Sequence, residues 1–149
     1  MSRVLAMGVM AVSLAVAVGA EEPGPSGRPV RFAPLEVYVD SGGAALAAYQ
    51  FELTATAGEV AIVGIEGGEH AAFKEAPYYD PAALAHDRII IAAFSTDRIL
   101  PRGQTRVARV HLQISGEEKP EYSIKLTVAA STDGKEIPAT VTFEQGEQE

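Results

Sequence analysis

Cysteine and tryptophan are missing altogether from this chain of 149 residues. Without thiols there is no disulfide, no thiolate metal site and no cysteine nucleophile, so stability must come from packing and hydrogen bonding. Without tryptophan, a cellulose-type platform loses the flat rings it normally sets in a row. Basic clusters are lacking as well. Only 12 Lys and Arg stand against 20 Asp and Glu, and the resulting formal charge of −8 argues against nucleic acid as a partner. Beyond residue 20 no apolar run reaches the roughly 20 residues that a membrane span needs. Catalytic signatures are missing too: there is no Gly-x-Ser-x-Gly elbow, no HExxH pair and no phosphate-cradling glycine loop, and Ser95 has no identified base.

Residues 1–20 carry Arg3, an apolar run from Val4 to Val18, and the small-residue end Val18-Gly19-Ala20. That arrangement predicts a secretory signal cut after Ala20, the rival reading being an uncleaved anchor, for which the apolar run is short of the roughly 20 residues of a comfortable span. The mature protein is then expected to be secreted, periplasmic or at the cell surface, with no membrane span after cleavage. No cysteine follows the run to take a lipid. Residues 21–30 are rich in Pro and Gly and predict a flexible linker. One folded domain is expected over 31–144, followed by an acidic tail at 145–149.

Seven short runs within that span read as strands. Residues 88–95, RIIIAAFS, hold an unbroken apolar run from Ile89 to Phe94, which suits a strand covered on both faces. Residues 105–115 alternate instead. Ala108, Val110, Leu112 and Ile114 share one side, and Val107, Arg109, His111 and Gln113 share the other. These two runs are expected to be adjacent strands at the centre of the fold. Before them, 35–40, 48–56 and 59–66 present Leu35, Val37 and Val39, then Tyr49, Phe51 and Leu53, then a mostly apolar stretch stopped by Gly67-Gly68. After them, 122–130 sets Tyr122, Ile124, Leu126 and Val128 on one face, and Asp133-Gly134 signals a hairpin into 137–144. Pro138 marks an edge or a strand start there. Between 69 and 87, Asp80-Pro81 is an N-cap and first-turn pair that predicts one short helical turn. The pattern as a whole predicts an all-β fold, an antiparallel β-sandwich.

Three stretches, LEVYVDSGGAALAAYQFELT, EVAIVGIEGG, and RIIIAAFS with GQTRVARVHLQISG, resemble the cohesin-like modules. Those modules share a jelly-roll sandwich with a superfamily of carbohydrate-binding modules. The resemblance covers most of residues 35–116. It implies a jelly-roll domain that binds rather than catalyses, a dockerin-like protein or a polysaccharide as partner, and a sheet face that meets it.

Candidate site residues fall in two places. Tyr78 and Tyr79, followed by Asp80, put two rings and a carboxylate in the long loop, where sugars could stack on aromatic faces; the simpler role is that one ring plugs the sandwich edge and the other covers it. Arg109, His111 and Gln113 form a polar row on the outer side of the 105–115 strand, with Gln50 and Glu52 expected on the same sheet. That row is either a partner-binding face or an ordinary solvated side. A metal-dependent hydrolase built on His70, Asp80, His86 and Asp87 is the least favoured reading, because their spacing is irregular. No catalytic residue, metal or cofactor is assigned. The expectation is a secreted, non-catalytic binding module for protein assembly or surface recognition, with carbohydrate binding through the loop tyrosines as the alternative.

Overall fold

A computed structural model describes residues 27–146. The expected leader at 1–20 lies outside the described residues, as do 21–26 of the linker and 147–149 of the tail. Seven strands carry the fold: β1 (Val30–Asp40), β2 (Ala48–Ala57), β3 (Glu59–Gly67), β4 (Arg88–Phe94), β5 (Gln104–Ser115), β6 (Glu121–Ala130) and β7 (Thr140–Gln145). A four-stranded sheet has the order β3-β5-β1-β7 and a three-stranded sheet the order β4-β2-β6, with antiparallel pairing throughout. The chain is therefore an all-β antiparallel sandwich. Odd-numbered strands lie in one sheet and even-numbered strands in the other, so every connection crosses from layer to layer.

Alternation along each strand explains what the two layers bury. Leu35, Val37 and Val39 of β1, Tyr49, Phe51 and Leu53 of β2, Ile89 and Ile91 of β4, and Val110, Leu112 and Ile114 of β5 meet in one core. Removing each large aliphatic or aromatic side chain from water is worth about 1.5–3 kcal/mol. Tyr49 ties the layers together. Its ring stacks on Phe51 at 5.9 Å and meets Phe73 edge-on at 5.4 Å, while its hydroxyl donates across the core to the Val107 carbonyl at 3.1 Å. Burial pushes the Tyr49 phenol above its ordinary range, so it stays a protonated donor.

The structure corrects several expectations. β4 and β5 are not neighbours: β4 edges the three-stranded sheet, and β5 is interior to the other. Period-two patterning says which side of a strand is buried, not which strand lies beside it. Nor is β4 covered on both faces, because Ile90 and Phe94 point outward and are 42% and 65% exposed. Val107 is buried with the inward set of β5, since a bulge opposite Val37 and Tyr38 inserts it as an extra residue. A register shift between Gln50 and Phe51 likewise turns Val128 of β6 outward and Ala129 inward. Asp133-Gly134 does close a tight turn, with the Gly134 N–H donating to Ser131 O at 3.0 Å and a bridge between Ala130 and Glu136. β6 and β7 do not pair, however; the chain passes Pro138 and crosses to the edge of the other sheet. In the long connection two 3-10 turns, Ala71–Phe73 and Pro81–Ala83, stand where one helical turn was expected.

The long connection leaves β3 through Gly67 and Gly68, and only glycine fits there. A Cβ on Gly68 would sit 2.1 Å from the Arg106 carbonyl oxygen and 2.8 Å from the Val107 Cα; one on Gly67 would sit 2.2 Å from the Lys74 carbonyl oxygen. Gly68→Ala must displace backbone in β5 and is expected to lower the unfolding free energy by at least about 2 kcal/mol. Gly43→Ala, where a Cβ meets nothing within 4 Å, should change it by less than about 0.5 kcal/mol. Urea unfolding of the two variants checks the contrast.

Candidate functional site

The two outward faces of the sandwich differ in chemistry. On the four-stranded sheet the register sets Glu36 of β1 beside Arg109 of β5, and Arg109 beside Glu66 of β3. In an unbroken strand Arg106 and Arg109, three residues apart, would face opposite sides. The bulge at Val107 brings both to the outer side, where they share one carboxylate. Arg109 Nε donates to Glu36 Oε1 at 2.6 Å and Arg106 Nη1 to Glu36 Oε2 at 3.0 Å. Arg109 Nη1 lies 3.7 Å from Glu66 Oε2, which also meets His111 Nε2 at 2.9 Å. Glu36 keeps only 13% of its side chain exposed, so this is a half-covered network rather than a scatter of surface pairs. The hydrogen bond from His111 holds the Glu66 carboxyl below its ordinary range, against a smaller opposing effect of burial. Its contribution to stability is therefore complete above the usual carboxylate pKa and fades as the pH falls through the depressed value.

The expected row of Arg109, His111 and Gln113 thus exists on the outer side of β5, and two of its three members are engaged in this network. Gln113 is half-buried between Phe32 of β1 and Ala61 of β3 in the register. Gln50 and Glu52 were expected on the same sheet but lie on β2, on the opposite face of the sandwich. There Glu52 takes a two-pronged contact from Arg88, at 2.9 and 3.0 Å.

The three-stranded sheet presents a mixed outer face with exposed apolar side chains on β4 and β6. Outward on β4 come Arg88, Ile90, Ala92 and Phe94, opposite Thr54, Glu52, Gln50 and Ala48 of β2, with Val128 of β6 beyond Gln50. The long connection extends this face. Tyr78 forms an isolated bridge with Ala92, its N–H donating to Ala92 O at 2.8 Å and its carbonyl oxygen accepting from Ala92 N at 3.0 Å. Its ring lies parallel to Phe94, with centroids 6.1 Å apart and planes 9° apart, and the two side chains are 68% and 65% exposed.

The two loop tyrosines do not act together. Tyr78 sits in extended backbone, and successive extended residues point to opposite sides; Tyr79 packs half-buried against the core. The second exposed ring is Phe94, which sequence reasoning missed. Its signal was present as the phase Arg88, Ile90, Ala92, Phe94, obscured once the run was read as doubly covered. Asp80 caps the second 3-10 turn, its Oδ1 accepting from Ala82 N at 2.9 Å, and His70 caps the first, its Nδ1 accepting from Ala72 N at 3.0 Å. His86 is exposed and uses its backbone carbonyl to accept from Ile62 N at 2.8 Å. Among the described residues no group of three or more His, Asp and Glu side chains is placed to hold a metal ion, so the four residues of the hydrolase reading are not brought together.

The chain matches no family model, no curated protein and no solved structure.

The half-covered network and the exposed Arg88–Glu52 pair are expected to respond differently to the same change. Glu36→Gln leaves two guanidinium groups facing a neutral amide and should cost about 1–3 kcal/mol. Glu52→Gln, in a pair whose Arg88 side chain is 56% exposed, should leave stability unchanged within error. Thermal melts at neutral pH and low salt compare them, and equal effects would refute a structural role for the network.

Proposed function

We propose that this chain is a secreted, non-catalytic recognition module of cohesin-like type, which binds a protein through the outer face of its three-stranded sheet. The observation that carries the reading is the parallel pair of Tyr78 and Phe94, both about two-thirds exposed on a folded surface. Ile90 and Val128, 42% and 41% exposed, lie on the same face. Glu52 and Gln50 of the central strand β2 separate Ile90 from Val128, and Arg88 and Lys125 flank Glu52, so the aromatic pair forms the apolar part of a mixed face at its β4 edge. Large apolar side chains grouped on one face mark interaction surfaces more often than solvent-facing ones, and aromatic residues are enriched at the centre of protein interfaces. The face is also pre-formed. It is built on paired strands and a bridged loop segment, so binding pays little ordering entropy.

The charged network on the opposite face is satisfied within the protein, which supports a structural role there instead. A glycan platform of two neighbouring tyrosines has lost one ring to the core, and the ring that replaces it comes from a strand rather than from the loop. Export and the cohesin-like resemblance add to the reading from the sequence side.

The test compares three forms of the protein, immobilised at equal density and exposed to culture supernatant and envelope extract of the producing organism. The wild type is expected to retain a stoichiometric protein. A Tyr78→Ala, Phe94→Ala double variant should lose at least tenfold of that binding, and an Arg109→Ala, His111→Ala double variant should keep it once its folding is verified. Loss in the second variant alone, or retention of the wild type on polysaccharide columns abolished by the first, would overturn the proposal.

A further inference from the structure

The long connection and the end of β4 enclose a cleft of about 320 Å³ beside the aromatic face, with Phe73, Glu75, Tyr78, Phe94 and Asp97 among its walls. Its chemistry is one-sided. Two exposed rings and two carboxylates line it, together with Ser95 and Thr96, and no Lys, Arg or His contributes to the lining. Neither Glu75 nor Asp97 has an ion-pair partner among the described residues, and both are exposed at the rim. The Asp97 backbone N–H is held by Ser95 Oγ at 3.2 Å, which fixes the turn that carries that carboxylate.

An uncharged apolar group would suit the rings but would strip water from two carboxylates without replacing it. An anion would meet them with like charge. A cation satisfies both parts of the wall, because ring faces attract positive charge and carboxylates form charge-assisted hydrogen bonds with ammonium or guanidinium groups. A long aliphatic stem ending in that cation fits better still, with methylenes against the rings and the head at the carboxylates. We propose that the cleft takes a lysine or arginine side chain of the protein that covers the aromatic face. The inference rests on the protein-binding reading above and adds the partner's chemistry: a basic residue beside an apolar patch. The formal charge of −8 on the whole chain favours the approach of such a partner.

The probes are three blocked tripeptides, acetyl-Ala-Lys-Ala-amide, acetyl-Ala-Arg-Ala-amide and acetyl-Ala-norleucine-Ala-amide, titrated at low salt into isotope-labelled protein and followed by amide chemical shifts. Both basic peptides should give saturable shifts confined to residues 71–78 and 93–97. The norleucine peptide should bind at least tenfold more weakly, and a Glu75→Gln, Asp97→Asn double variant should reduce the affinity for the basic peptides about tenfold. Both substitutions lie at exposed positions, so the folded spectrum is expected to persist. Equal binding of the norleucine peptide would overturn the charge selectivity while leaving the aromatic face intact. Shifts spread over the whole surface, or unchanged by the double variant, would overturn the site itself. Cleft binding as expected, combined with partner capture that survives loss of Tyr78 and Phe94, would support the cleft and overturn the aromatic face.

Discussion

The interior of this domain exists only where its two sheets meet, because the chain changes sheet at every connection. No two consecutive strands pair with each other, so neither layer can form from a contiguous piece of sequence. The β1–β5 ladder joins Val30 to Ser115 and Asp40 to Gln104, drawing nearly the whole domain into one pairing. Such non-local contacts incur their loop-closure entropy before burial rewards it, so slow folding is expected of this topology. With no disulfide to shorten the search, the aliphatic stripes of β1, β2 and β5 supply the driving force, and the buried Tyr49 hydroxyl adds a directional link between layers.

The same weave decides how the outsides are used. In the four-stranded sheet, two interior strands bear charged groups on their outer side and a bulge sets two arginines over one carboxylate, while Phe32 of β1 and Val63 of β3 stay 48% and 43% exposed. In the three-stranded sheet, β2 alone is flanked on both sides, and β4 shows Ile90 and Phe94 to solvent. The long connection is fastened at several points along its course. It passes β5 at Gly68, bridges β4 at Tyr78, and returns along β3 where Ala85 N donates to Ile62 O at 2.7 Å. Ala85 adopts a φ of 68°, a left-handed conformation that a non-glycine residue holds at a cost of about 1–2 kcal/mol. A loop fastened this way extends the outer face of the three-stranded sheet past β4.

Much of this architecture was legible in the residues. Inward sets such as Leu35, Val37 and Val39, or Ala108, Val110, Leu112 and Ile114, follow from period two alone, and the Asp80-Pro81 turn follows from capping chemistry. What was not legible has physical causes. Strand adjacency is a long-range property, so the consecutive runs of β4 and β5 looked like neighbours although the core lies between them. Bulges shift phase within a strand, and for that reason Val107 and Val128 were assigned to the wrong sides. In the candidate site, adjacency in sequence misled again: Tyr78 and Tyr79 are neighbours in the chain but face opposite ways, whereas Tyr78 and Phe94, 16 positions apart in the numbering, lie parallel. His70 and Asp80 carry metal-ligand chemistry, yet each satisfies the orphan N–H group of its own turn.

The proposed recognition role stands on one claim, that another protein covers Tyr78 and Phe94 on the outer face of the three-stranded sheet. Photo-crosslinking in the producing organism tests it most directly, with a benzoyl-phenylalanine placed at position 94 in one strain and at position 113 in another. The claim predicts a discrete heavier adduct containing a second protein from position 94 and none from position 113. An adduct from position 113 alone, or none from position 94 while the protein is folded, would contradict it.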